Sequence, residues 1–179
     1  MKFNSLELEG AYLIELSSHI DQRGFFARCF CQNIFAERGL EAQFVQVNSS
    51  LSHSVGTLRG LHYQLDPMAE VKWVRCIHGS IYDVIVDIRR ESPTFRRSFG
   101  TILSAENRNM MYVPKGFAHG FLTLSEQTEV MYLVSQFYSP SRERGIRWND
   151  PFFHIEWPMT PCVISERDSS HPDFESQRL

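Results

Sequence analysis

The chain has 179 residues, 42% of them hydrophobic and 22% charged. That length suits one domain, 1–179, with a sizeable core, and the composition excludes a disordered chain. With 18 basic against 21 acidic residues the formal net charge is -3, which excludes the overall field of a nucleic-acid binder, so any grip on an anionic ligand must come from a local cluster.

In chain order, the start reads MKFNSLELEGAYLIEL, with Glu7 and Glu9 where a secretory signal would be apolar. No window approaches about 18 uninterrupted apolar residues, so no membrane span is expected, and the expected location is cytoplasmic. Runs of strand character fall at 11–16, 24–30, 43–48, 57–63, 71–77, 81–88, 95–103, 110–113, 119–124 and 129–137. In IYDVIVDI, 81–88, Tyr82, Val84, Val86 and Ile88 share one face, and Asp83 and Asp87 the other. One short helix is expected near 32–38, with Asn33 as its cap and Gly39 at its end. The Pro-containing stretch 151–172 is expected to be irregular, with a terminal turn. Short strands punctuated by turn residues, with little helical periodicity, predict an all-β sandwich or barrel, a jelly roll foremost. Cys29, Cys31, Cys76 and Cys162 include no C-x-x-C pair and are expected to be reduced thiols.

The densest polar constellation is Gly56-Thr57-Leu58-Arg59-Gly60-Leu61-His62-Tyr63-Gln64. Strict alternation puts Arg59, Leu61 and Tyr63 on one face and Leu58, Gly60, His62 and Gln64 on the other. Gly60 has no side chain, so a ligand could approach the backbone there. A metal-binding barrel usually shows two histidines at i and i+2 with a carboxylate close behind. Here Gln64 stands two residues after His62, no H-x-H occurs, and no carboxylate follows His119 before Glu126. No metal is therefore expected.

The chain resembles the 3,5-epimerases that act on nucleoside-diphosphate 4-keto-6-deoxy sugars, the dTDP-4-dehydrorhamnose 3,5-epimerase family, from about Leu13 to Asp168. The motifs in this sequence are Asp21-x-Arg23-Gly24-x-Phe26, Gln46-x-Asn48-x-Ser50, the 56–64 run, Lys72-x-Val74-Arg75 and Gly79-x-Ile81-x-Asp83-Val84. They continue with Ser92-Pro93-Thr94-Phe95, Pro114-x-Gly116-Phe117-Ala118-His119-Gly120-Phe121, Tyr132 and Tyr138-x-Pro140. The last are Glu143-x-Gly145-Ile146-x-Trp148-x-Asp150-Pro151 and Ser165-x-x-Asp168.

The resemblance implies a cupin-type jelly-roll barrel with a few short helices, no cofactor, and a homodimer that exchanges strands at its N-terminal part. It implies catalytic roles for His62, Lys72, Tyr132 and Asp168 in making deoxysugars for surface polysaccharide or glycoconjugates. Inverting a carbon beside a ketone needs a base on one face and an acid on the other. His62 would be the base, Asp168 its tautomer-fixing partner, Tyr132 the acid and Lys72 the donor to the C4 oxyanion. The resemblance further implies substrate contacts by Arg23 and Arg59 with the diphosphate, by Tyr138 and Phe26 with the nucleoside, and by Gln46, Asn48, His119 and Glu143 around the pocket.

Arg28 stands where thymidine-specific members usually carry glutamate, Val47 where aspartate is common, Ser49 where histidine is common, and Arg167 where lysine is frequent. These departures open a CDP-linked substrate beside a dTDP-linked one. The residues also leave room for a C3-only epimerase, a non-catalytic sugar-nucleotide-binding cupin, a metal cupin and a keto-isomerase.

Overall fold

The computed structural model describes residues 1–174. Its strands are β1 (Lys2–Ser5), β2 (Tyr12–Glu15), β3 (His19–Asp21), β4 (Gly24–Phe26), β5 (Gln46–Ser52), β6 (Thr57–Gln64) and β7 (Lys72–His78). After them come β8 (Ser80–Asp87), β9 (Ser98–Ser104), β10 (Met110–Val113), β11 (Phe117–Thr123), β12 (Thr128–Val134), β13 (Glu143–Gly145) and β14 (Val163–Ile164). The helices are α1 (Gln32–Ala36) and α2 (Glu166–Ser169). One six-stranded sheet runs β1-β2-β10-β7-β12-β5. The second runs β13-β6-β11-β8-β9, with β14 added parallel to β6. This is the expected jelly roll.

Three apolar clusters hold the layers. Val74, Met111 and Val130 of the first sheet meet Ile81, Ile85 and Phe121 of the second to form the inner core. Outside the first sheet, Phe35 of α1 packs with Trp73, Met110 and Tyr112. Outside the second, Val84, Val86 and Ile88 are covered by Ile146, Phe153 and Phe174. Both faces of β8 are therefore buried, and Asp83 and Asp87 are fully buried with them. Asp87 is satisfied by Arg89, Ser92 and Thr94, which hold its carboxyl below the usual range although burial opposes them.

Several boundaries differ from the sequence reading. The run 24–30 is a strand only through Phe26, because Phe30 turns in to pack on Phe35 and Phe44. The strand expected at 43–48 begins at Gln46, and Phe44 belongs to the helix-side cluster. The strand expected from 95 starts at Ser98, since Phe95, Arg96 and Arg97 form a turn closed onto Asp87. Helix α1 is capped at Cys31 rather than Asn33, with no side-chain capping bond. The short strands β1, β3, β13 and β14 lie outside the expected runs. The stretch 151–172 is largely irregular, as expected, but contains β14 and α2. All four cysteines are free thiols, and no described helix is long and apolar enough to cross a membrane.

β5 shows where the core stops. Its inward residues are Gln46, Asn48, Ser50 and Ser52, while Val47 is 64% exposed on the outer side and Leu51 is exposed beside it. Polar side chains facing in leave the space between the sheets unfilled at this end.

Candidate active site

That space is a cavity of about 550 Å³ joined to a second lobe of about 300 Å³. His62, Lys72 and Tyr132 line both lobes. Arg59, His119, Arg167 and Asp168 line the larger, and Gln46, Asn48, Tyr138 and Glu143 the smaller.

The local backbone of β6 decides what reaches this cavity. His119 and Phe121 of β11 pair with His62 and Arg59, a step of two residues on one strand against three on the other. The extra residue is a bulge, which breaks strict alternation. Arg59 and His62 therefore both reach the cavity, contrary to the opposite faces expected for them. Gly60 sits in the bulge at φ +116°, and a Cβ there would lie 2.6 Å from the Cα of Gly120. Its missing side chain admits the neighbouring strand, not a ligand.

His62 Nε2 lies 2.7 Å from Asp168 Oδ1. The other carboxylate oxygen accepts the Gly60 N–H at 3.0 Å. Ser165 caps α2 by accepting from the Asp168 N–H at 3.0 Å, which fixes the helix that carries the carboxylate. Burial alone would raise the Asp168 carboxyl. The imidazoles of His171 and His62 and the Gly60 N–H outweigh it and hold the group well below the usual carboxylate range. With Nε2 committed to Asp168, Nδ1 is the remaining basic nitrogen of His62.

His62 belongs to the second sheet; Lys72 and Tyr132 belong to β7 and β12 of the first. A molecule between the sheets thus has the imidazole on one side and the phenol and ammonium on the other. Lys72 is buried, pairs with Glu70 at 3.3 Å and donates to the His62 carbonyl at 3.3 Å. Burial raises the Tyr132 phenol, the charges of Glu70 and Glu143 raise it further, and Arg59 opposes them.

His119 does have a carboxylate, against expectation: its Nε2 is 2.7 Å from Asp83 Oδ1. The partner comes from the adjacent strand β8, which spacing along the chain could not reveal. Arg59 donates to Ser52 Oγ at 3.1 Å and to the Leu51 carbonyl at 3.0 Å, which sets its fork at the cavity wall. Tyr138 donates to Glu143 at 2.6 Å, and Arg167 pairs with the same carboxylate.

Three expected contacts are not brought together with these. Arg23, Phe26 and Arg28 are exposed on or beside the β3–β4 hairpin and do not line this chain's cavity. Phe26 is 67% exposed, and Arg23 pairs with Asp21. Val47 likewise points away, whereas Ser49 lies at the rim against Glu129. Asp83, Glu70, Ser165 and His171 are members of the site that sequence reasoning missed. Only Ser165, three residues before Asp168, left a capping signal in the sequence.

A pocket with this His–Asp pair can be compared with known proteins. The family model described as dTDP-4-dehydrorhamnose 3,5-epimerase matches residues 5–176. The chain belongs to the dTDP-4-dehydrorhamnose 3,5-epimerase family. An epimerase of that name from Shigella flexneri is 46% identical over 169 residues, covering 94% of this chain and 93% of its own. A crystal structure of the Elizabethkingia anophelis epimerase superposes with a TM-score of 0.96 at 40% identity, covering 100% and 99% of the two chains. A 3'-monoepimerase from Streptomyces bikiniensis, in complex with dTDP-quinovose, gives 0.87 at 36% identity over 93% and 85%. Within this epimerase family the chain is an enzyme of deoxysugar biosynthesis.

Proposed function

We propose that this epimerase inverts C3 and C5 of a dTDP-linked 4-keto-6-deoxyhexose. The C4 ketone acidifies the hydrogens on both neighbouring carbons, because loss of either leaves an enolate. His62 takes the proton through Nδ1, and ionised Asp168 stabilises the imidazolium that results. Lys72 donates to the developing C4 oxyanion. Tyr132 returns a proton from the facing sheet, and return from the opposite face is what inverts the centre. General acid–base help supplies roughly 10²–10⁴-fold, so the fixed charge at the oxyanion must supply much of the remainder. Arg59 suits the diphosphate through its planar donor fork. Gln46, Asn48, His119, Tyr138, Glu143 and Arg167 hold the rest of the ligand. The observation that carries this reading is the 2.7 Å His62–Asp168 pair facing Tyr132 and Lys72 across one cavity.

The exposed hairpin bearing Arg23, Phe26 and Arg28, with the outward apolar residues of β5, favours a homodimer in which the N-terminal part of one chain completes its partner's nucleotide site. The reaction belongs in the cytoplasm, where nucleotide sugars are made. The names of the relatives favour dTDP over CDP, and the resemblance to a 3'-monoepimerase favours keeping C3-only inversion as a second reading. The test is incubation with dTDP- and CDP-linked 4-keto-6-deoxyglucose in deuterium oxide, with each ring position followed by NMR. Exchange at C3 and C5 of the dTDP sugar is expected. Exchange at C3 alone selects the monoepimerase, preference for CDP reverses the nucleotide, and no exchange with either sugar removes the proposed reaction.

A further inference from the structure

His171 enters the chemistry above only by helping to keep Asp168 ionised, yet it lies against the proposed base. It follows Asp168 by three residues and places Nε2 3.6 Å from Asp168 Oδ1, the oxygen that holds His62. Its ring meets that of His62 edge-on, with centroids 5.8 Å apart. The fold makes room for it at Gly145, which pairs with His62 across β13 and β6, because a Cβ there would collide with His171 Nε2. That nitrogen is buried and, beyond its long 3.6 Å approach to Asp168, has no partner at hydrogen-bond distance among the described residues. Buried polar atoms seldom go unpaired, and each exception asks for an explanation.

We propose that His62, Asp168 and His171 form a site for a zinc-class divalent ion, and that the ion inhibits the epimerase by occupying its base. The inhibitory half rests on the reading of His62 as base. One ligand atom from each residue lies within 4.8 Å of the others. A tetrahedral zinc ion with bonds near 2.0–2.1 Å sets its ligand atoms roughly 3.3 Å apart. The separations of 2.7 and 3.6 Å about Asp168 Oδ1 straddle that value. Two imidazoles and a carboxylate are a zinc donor set, and the cavity lined by His62 gives access to a fourth position. Magnesium and calcium demand oxygen ligands and are excluded by the same set. The Gly60 N–H already orients the carboxylate through its other oxygen.

Inhibition follows from proton placement. A neutral imidazole bound to metal through Nε2 must carry its one proton on Nδ1. The Nε2 proton of His62 moves to Nδ1 when the ion binds, and the nitrogen that would take the substrate's proton is filled. No net proton is released by this tautomer change.

The test uses chelator-treated, full-length protein titrated with zinc, and separately with cobalt(II) as a spectroscopic probe. Zinc should abolish deuterium exchange into the 4-keto sugar, EDTA should restore it, and magnesium should do nothing. Cobalt should bind at one equivalent per chain and give visible d–d bands without the near-ultraviolet charge transfer of thiolate ligation. His171→Ala and His171→Gln, each normalised to its own zinc-free rate, should need at least about tenfold more zinc for half-inhibition and should lose the cobalt bands. Zinc sensitivity equal to wild type in both variants, no cobalt binding, or thiolate bands would overturn the site, and activation by zinc would overturn the inhibition. A protein that binds cobalt in this way but shows no turnover without metal would instead count against His62 as an unaided base.

Discussion

The cavity holds two His–Asp pairs of the same 2.7 Å length, and they are not equivalent. His119 and Asp83 are 8% and 0% exposed at their side chains, and Asp83 Oδ2 is buried without a hydrogen-bond partner among the described residues. The His62 side chain is 30% exposed, and its carboxylate partner has both oxygens engaged. A short hydrogen bond therefore does not make a base. A general base needs a ring nitrogen that substrate can reach and a partner whose charge is already stabilised. On the proposed reading His62 meets both conditions, and the buried His119 orients the ligand and fills the wall.

The sharpest way to break this contrast is to neutralise each carboxylate. Asp168→Asn should lower kcat by about 10²–10⁴-fold, since an amide no longer fixes the tautomer or offsets the imidazolium. Asp83→Asn should cost only about tenfold, with a stability loss of about 1–3 kcal/mol from a buried bond remade imperfectly. Steady-state kinetics and urea titration separate the two; equal losses of kcat would make the pairs equivalent. Next, Gly60→Ala places a methyl 2.6 Å from the Gly120 backbone. It should destabilise by about 1–3 kcal/mol and weaken catalysis by displacing the N–H that anchors Asp168, as read from urea midpoint and kcat together.

A smaller effect concerns Tyr132. Burial, then Glu70 and Glu143, raise its phenol above the ordinary value of 10, against Arg59. In the proposed mechanism the protonated form is the acid, so loss of activity from its ionisation should fall above pH 10 rather than near neutrality. The 295 nm absorbance of wild type minus Tyr132→Phe, titrated with base, reads that ionisation directly. The smallest structural effect is expected at Arg23, whose pair with Asp21 is solvent-exposed. Arg23→Ala should leave Tm unchanged and raise KM for the sugar nucleotide, whereas an unchanged KM would separate the hairpin from the site.

Much of this architecture was legible in the sequence. Period-two runs located most long strands, and the 56–64 run located the cavity wall. What alternation could not supply was the bulge at Gly60, since one extra residue reverses every face beyond it. The pairing of His119 with Asp83 depended on sheet register between β8 and β11, which no local pattern encodes. Phe30 and Phe44 misled the strand boundaries because their burial is against α1 rather than in a sheet. His171 was invisible for a similar reason: it matters only where Gly145 leaves space beside His62.

The decisive measurement is single-turnover deuterium exchange at C3 of the 4-keto sugar in His62→Ala and Tyr132→Phe. If His62 takes the proton and Tyr132 returns it from the facing sheet, the first variant exchanges at least about 10³-fold more slowly than wild type. The second still exchanges but no longer inverts. Exchange at the wild-type rate in His62→Ala, or inversion undiminished in Tyr132→Phe, would contradict that division of labour.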